Sequence, residues 1–136
     1  LQERHSLGDF LIRNLLGIDQ ATGALAVGAL LREHQTVQFH LRDAETAGED
    51  LRSMLSQYLS DADPAQAEGA LLFQCTGRGS YLYGRPDHDT DIFREHLGPL
   101  PLGGFFCAGE IGQVGGSTYL HGYTSSFGIF RALGPE

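Results

Sequence analysis

A glycine-rich stretch near the end of the sequence constrains the fold most strongly. An apolar strand is predicted over Leu102 to Ala108, and it runs into a single carboxylate, Glu110, that lies between two glycines. A Gly-Gly turn follows, and His121 and Tyr123 return on what we predict to be the next strand. Glycine lets a ligand approach the backbone closely, and an apolar wall with a few polar groups suits a small-molecule pocket. The segment therefore indicates binding more than catalysis.

Charge and composition exclude several classes of function. The 136 residues fit one domain, and the net charge of −8 argues against nucleic acid, because phosphate binding needs clustered cations. All nine basic residues are arginine, which excludes a Schiff-base lysine and a P-loop lysine and suggests a GC-rich, bacterial gene. The apolar runs are too short to insert into a membrane.

The start of the sequence and its two cysteines indicate where in the cell the protein is located. No secretory signal pattern is found, so we expect a cytoplasmic protein in which Cys75 and Cys107 are reduced. The sequence begins at Leu1 rather than at a methionine, and we interpret it as a piece of a longer protein or as a processed form.

Hydrophobic periodicity predicts a mixed fold. Strands are predicted over residues 10–18, 24–27, 36–41, 70–74, 102–108, 119–123 and 125–130. One helix is predicted over Ala44 to Leu59 behind an N-cap at Asp43, and a second begins at Asp87 or Asp89. With the adjoining segments 119–123 and 125–130 taken together as the last strand, the order β-β-β-α-β-α-β-β indicates an α+β fold, in which two main helices pack on a mixed, largely antiparallel sheet.

Four blocks of sequence, in this order, resemble the C-terminal half of the FIST family. They are VQFHLRD (37–43), LLFQCTGR (71–78), GFFCAGEIG (104–112) and LHGYT (120–124). The resemblance extends from about Asp9 to Phe130 and implies a single FIST C-like domain over residues 1–136. FIST domains are sensory modules of signal transduction, so the resemblance implies a small ligand, with an amino acid as the proposed class. It also implies an N-terminal FIST half, absent here, and a signalling output domain as partners.

Two charged residues are the first candidates for ligand contacts. Glu110 could pair with a ligand amine, and the alternative is that it accepts hydrogen bonds from the glycine turn. Arg78 follows a buried strand and could hold a carboxylate, and the alternative is an exposed loop arginine. Together they would suit the two ends of an amino acid.

The remaining candidates surround these two. Cys75, Thr76 and Gly77 form the loop before Arg78, where a reactive thiol and a buried apolar cysteine are both open. Gly109 borders Glu110. His121 and Tyr123, two residues apart on one predicted strand, would share a face that lines the pocket or packs in the core. The dispersed Cys and His residues do not form a compact metal motif, so no metal or cofactor is expected.

Three functions remain open. The first is a non-enzymatic, small-ligand-binding sensory domain whose site contains these residues. The second is a thiol-dependent enzyme with Cys75 as nucleophile and His121 as base, although no known nucleophile signature is found. The third is an interaction module in which the glycine-lined strands pack on the missing N-terminal half, with a homodimer through that surface as an open alternative.

Overall fold

The structure is a computed structural model that describes residues 10–132. Asp9, where the family resemblance begins, and residues 1–8 and 133–136 of the single-domain prediction lie outside the described residues. The elements are β1 (Leu15–Ile18), β2 (Leu25–Val27), α1 (Ala44–Asp61), β3 (Ala67–Cys75), α2 (Ser80–Tyr83), α3 (His88–Leu97), β4 (Leu102–Cys107), β5 (Glu110–Val114), β6 (Ser117–His121) and β7 (Ser125–Arg131). A 3₁₀ turn over Pro64–Gln66 leads into β3.

The long strand β3 is the centre of the largest sheet. It pairs in parallel with β4, from Ala70 opposite Leu102 to Cys75 opposite Cys107, and antiparallel with β7 on its other edge. Two antiparallel hairpins, β1–β2 and β5–β6, complete the strand pairing of the described residues. The predicted α+β class is confirmed, since helices alternate with strands that pair mostly antiparallel. The pairing is divided among three small sheets.

The helix α1 begins where the sequence predicts it. The Asp43 carboxylate accepts a hydrogen bond of 2.9 Å from the Thr46 backbone N–H, which satisfies one of the unpaired donors of the first turn. Leu51 and Leu55 lie one turn apart and are buried in the core cluster. No helix among residues 10–132 has the length and apolar character needed to cross a membrane.

The helix α3 supplies the centre of the core. Ile92 and Phe93 are fully buried, and the Phe93 ring stacks on Phe127 of β7 with the ring centroids 5.3 Å apart. The helix ends at Gly98, whose φ of 76° favours glycine. Its beginning differs from the simple cap that the sequence suggests. Asp87 is the N-cap without a side-chain cap bond, whereas Asp89 is buried inside the first turn.

The prediction of a strand over Thr36–Leu41 is wrong. Residues 28–43 contain neither strand nor helix. Val37, Phe39 and Leu41 alternate as a strand should, but they are 58%, 77% and 95% exposed. An alternating pattern gives a strand only where a neighbour pairs with it, and no described strand pairs with this segment.

The Gly-Gly turn that the sequence predicts connects two paired strands in the structure. Only Gly115 and Gly116 connect β5 to β6, and their φ values of 57° and 79° fit a two-residue hairpin turn. Strand pairing therefore continues up to this turn on both sides, and β5 begins at Glu110 itself.

The Gly103–Gly104 pair in β4 gives a prediction about stability. A Cβ at Gly104 would overlap the Leu72 carbonyl oxygen and lie 2.8 Å from its carbon, and the φ of 153° is also unfavourable for alanine. At Gly103 the nearest atom would be a Leu71 methyl at an ordinary 3.6 Å. We expect Gly104→Ala to lower the free energy of unfolding by about 3 kcal/mol and Gly103→Ala to change it by less than about 1 kcal/mol. Urea denaturation measures both values. Equal effects of the two substitutions would contradict the described β3–β4 contact.

Candidate functional site

The Asp89 carboxylate is the centre of a buried polar network. It is 1% exposed and accepts hydrogen bonds from the Gln74 Nε2 at 2.6 Å and the Ser125 Oγ at 2.8 Å. Arg78 donates from Nε at 2.7 Å and from Nη2 at 3.3 Å, and His88 donates from Nδ1 at 2.9 Å. Five donated hydrogen bonds therefore compensate the burial of this charge.

Electrostatics in this network favour the charged forms of both partners. Burial alone would raise the pKa of Asp89, but the hydrogen bond and charge of Arg78, with smaller contributions from His88 and Ser125, lower it to about 2. Burial opposes the charge of Arg78 as well, yet the Asp89 carboxylate keeps the pKa of the guanidinium above its ordinary value. The two groups form a permanent ion pair near neutral pH.

Arg78 also binds two backbone carbonyls. Its Nη1 donates to the Tyr123 carbonyl at 3.3 Å, and its Nη2 approaches the Ala47 carbonyl of α1 at 3.5 Å. The guanidinium that the sequence predicts as a ligand contact is therefore buried and joins three parts of the fold by hydrogen bonds. It fixes the segment formed by residues 123–125, which we call the 123–125 segment, against Asp89 and α1.

Glu110 holds the same segment through other atoms. Its carboxylate, 1% exposed, accepts hydrogen bonds from the Thr124 backbone N–H at 3.2 Å and from the Thr124 Oγ1 at 2.8 Å. The Cys107 thiol lies 3.6 Å from its Oε1. Among the described residues, no cationic side chain forms an ion pair with Glu110. Glu110 and Arg78 thus have separate partners, which lie next to each other in the 123–125 segment.

The loop after β3 is tied to its surroundings by backbone hydrogen bonds. The Cys75 N–H donates to the Thr124 carbonyl at 3.0 Å, and the Thr76 N–H donates to the Cys107 carbonyl at 2.9 Å. The Cys75 sulfur is buried and accepts a hydrogen bond from the Gly77 N–H at 3.5 Å. None of the hydrogen bonds described for residues 10–132 joins Cys75 to His121.

His121 and Tyr123 do not share one strand face, contrary to the prediction from their spacing. β6 ends at His121, which donates from Nε2 to the Gly112 carbonyl at 3.1 Å. Tyr123 lies beyond the strand with a φ of 66°, so the side-chain alternation of a strand does not extend to it. Gly109 packs closely on this hairpin, since a Cβ there would lie 3.0 Å from the Leu120 Cδ1.

An open groove of about 1340 Å³ brings three of the predicted residues together. Arg78, His121 and Tyr123 line it, whereas Glu110, Cys75, Thr76, Gly77 and Gly109 do not. Its other walls come from residues 10–16 and 40–43, from α1 between Thr46 and Tyr58, from α2, and from the strands β5 and β7. Apolar side chains such as Leu51, Phe127 and Ile129 dominate these walls.

Arg42 is a groove residue that sequence reasoning missed. Its guanidinium lies 4.4 Å from the Tyr123 ring centroid and donates to the Gly77 carbonyl. A positive charge is thus held at the groove wall without a carboxylate partner among the described ion pairs. Its place directly before the Asp43 cap is the signal that could have found it. No cluster of three or more potential metal ligands exists among residues 10–132.

Comparison with known proteins gives one family. The family model of the FIST C domain matches residues 2–113. Uncharacterized proteins of Mycobacterium tuberculosis and Mycobacterium bovis are 47% and 46% identical over 123 residues, 90% of this chain. An F-box/LRR-repeat protein of Arabidopsis thaliana is 29% identical over 116 residues, 83% of this chain. The chain spans 32% of the length of the mycobacterial relatives and 22% of the plant protein.

The buried network gives a prediction about Asp89. Replacing Asp89 with Asn leaves the Arg78 charge buried without its counterion, so we expect a loss of about 3–5 kcal/mol in the free energy of unfolding. Asp91 in the same helical turn is 41% exposed and pairs with the exposed Arg85, so Asp91→Asn serves as the matched control and should cost at most about 1 kcal/mol. Urea denaturation of both variants measures the difference. A loss for Asp89→Asn no larger than the control's would contradict the network.

A second prediction concerns acid stability. The folded pKa of Asp89, about 2, is below its ordinary value of 3.8, so its contribution is complete above 3.8 and is lost as the pH falls towards 2. We expect the stability difference between the wild type and Asp89→Asn to shrink by roughly 2 kcal/mol across that window. Urea titrations at several pH values give this difference. A difference that stays constant with pH would show that Asp89 is not the titrating group.

Proposed function

We propose that this chain, which belongs to the FIST C domain family, is a small-ligand-binding sensory domain of a signal transduction protein. The FIST C domain is associated with sensory domains in signal transduction. The observation that carries the proposal is the groove, where Arg42, Arg78, His121 and Tyr123 interrupt an apolar wall. A few convergent polar groups on an apolar surface are typical of small-molecule sites.

Arg42 is the group best suited to receive a ligand. The guanidinium is exposed and oriented by Tyr123 and the Gly77 carbonyl, so little side-chain entropy remains to be lost when it binds a carboxylate. Asp50 lines the same groove and offers a negative charge for an amine. These two residues, rather than the buried Glu110, would hold the two ends of an amino acid.

The proposed response begins at the 123–125 segment. A ligand that contacts Tyr123 touches a segment that is bonded to Arg78 and Glu110, and hence to β3, α3 and β5. Signalling would require that the ligand prefer one arrangement of this domain relative to its partners. We propose an N-terminal FIST half and an output domain as those partners, in a cytoplasmic bacterial protein that neither inserts into membranes nor binds nucleic acid. The mycobacterial relatives, about three times as long as this chain, have room for them.

We propose no catalytic role. The Cys75 thiol is only 8% exposed, and its described partner is a backbone N–H rather than a base. The interaction-module hypothesis has a specific observation in its favour, since many large apolar side chains are exposed, including Leu30 at 99% and Phe105 at 62%. A sensory domain that also carries interaction surfaces would explain both the groove and the exposed apolar side chains.

The proposal predicts that Arg42 is needed for ligand binding. The probes are the proteinogenic amino acids, added one at a time in a thermal-shift screen and then titrated by calorimetry. We expect Arg42→Gln to weaken the best amino acid about tenfold, because a charge-assisted hydrogen bond is lost. Arg85→Gln removes an arginine outside the groove and should leave the affinity unchanged.

Two outcomes would overturn the proposed site. One is that no amino acid shifts the melting temperature of the wild type. The other is that Arg42→Gln and Arg85→Gln bind the amino acid equally well. Mass spectrometry of small molecules released from the full-length protein would identify a natural ligand without a prior guess.

A further inference from the structure

The outer edge of β4 has no partner strand in the described structure. β4 is the terminal strand of the β4–β3–β7 sheet, and its inner edge alone is paired. The opposite end of the sheet is partly covered, since Ser126 of β7 donates to the Ile111 carbonyl of β5 at 2.8 Å. An unpaired strand edge exposes backbone donors and acceptors that can bind another strand.

The hydrogen-bond pattern shows which backbone groups face this free edge. The carbonyls of Pro101 and Cys107 accept hydrogen bonds from Ala70 and Thr76, so the odd-numbered residues between them point their N–H and C=O groups towards β3. The N–H and C=O groups of Leu102, Gly104 and Phe106 therefore point outwards. Three consecutive donor–acceptor sites are available to a second strand.

This edge lacks the features by which proteins block strand addition. Residues 102–107 contain no charge and no proline, and their pairing with β3 has no bulge. A trough of about 240 Å³ is lined by uncharged residues of β3, α3 and β4, among them Gln74, Thr90 and Phe106. In a protein with 17 acidic and nine basic residues, such an uncharged edge is a distinct surface.

We propose that two copies of this chain associate by antiparallel pairing of their β4 strands, with the two-fold axis at Gly104. This register is self-complementary. Gly104 faces Gly104 of the second copy, so no side chains crowd one another across the two-fold axis. Phe105 of each copy lies across Gly103 of the other, which leaves room for the ring, and Leu102 faces Phe106. The edge thus contacts an identical edge, as an isologous dimer requires.

The chain exposes more surface than a compact monomer of its mass. It has 9984 Å² of accessible surface, whereas a folded monomer of 14.7 kDa has about 6,900 Å². This excess is spread over the whole chain, and at β4 the exposed apolar surface comes from Phe105 and Phe106. Phe105 and Phe106 are 62% and 54% exposed and would lose much of that exposure. The net charge of −8 on each copy makes two copies repel each other, and salt screens this repulsion. Added salt should therefore strengthen the dimer.

The experiment combines sedimentation with amide hydrogen exchange. Sedimentation equilibrium of this chain over a range of concentrations should give a reversible change from 14.7 kDa to twice that mass. Phe105→Lys should raise the dimer dissociation constant at least about tenfold, because the charge has no partner at the paired edge. Phe130→Lys is the matched control. It replaces a phenylalanine of similar exposure, 58%, on β7, two strands away, and should leave the constant unchanged.

Amide exchange tests the register in the unmodified chain and so does not depend on a variant folding. The outward N–H groups of Gly104 and Phe106 should exchange about tenfold or more slowly at high concentration than at low concentration. The Phe105 N–H, already bonded to β3, should change little. A chain that stays monomeric overturns the proposal. So does a dimer that Phe130→Lys weakens as much as Phe105→Lys, or one that leaves the Gly104 and Phe106 amides unprotected.

Discussion

The rest of the structure depends on the buried contact between the Asp89 carboxylate and the Arg78 guanidinium. Removing two ions from water costs several kcal/mol for each ion, so such a pair is stable only when further donors and acceptors satisfy it. Gln74 of β3, His88 of α3 and Ser125 of β7 provide donors for the carboxylate. The contact therefore joins the central strand, the loop after it, the core helix and the last strand. Loss of either charge would leave the other buried without compensation.

Glu110 illustrates a second way to bury a carboxylate. Its described partners are neutral, and two of its three contacts come from Thr124 alone. Two buried carboxylates therefore hold the 123–125 segment. Asp89 holds it through Ser125 and through Arg78, which binds the Tyr123 carbonyl, and Glu110 holds it through Thr124. The groove wall at Tyr123 is consequently positioned by buried contacts that a ligand would not touch directly.

The sequence predicts the elements that local signals define and misses the contacts that only the assembled fold creates. The Asp43 cap and the helical spacing after it predict α1 correctly, and the apolar run before Cys75 predicts the core of β3. Residues 36–41 show the limit of this reasoning, because their alternation requires a partner strand that sequence patterns do not reveal. Asp89 resembles a helix cap locally, and its pairing with Arg78 depends on the α3–β3 packing. Whether Arg78 and Glu110 share a ligand cannot be read from the sequence either, because the two residues lie on segments 32 positions apart whose packing depends on the whole fold.

Gln74 connects the two surfaces for which functions are proposed, the groove and the β4 edge. It lines the trough beside β4 and donates to Asp89 at 2.6 Å, while Arg78 on the same carboxylate donates to the Tyr123 carbonyl in the groove wall. Coupling between two sites requires an element with two arrangements, not only a line of contacts. The Tyr123 backbone is strained, because a φ of 66° costs a non-glycine residue about 1–2 kcal/mol and is retained only while its neighbours hold it. The Arg78 hydrogen bond to its carbonyl is one such constraint, so the Asp89–Arg78 ion pair also positions the residue whose ring lies beneath Arg42.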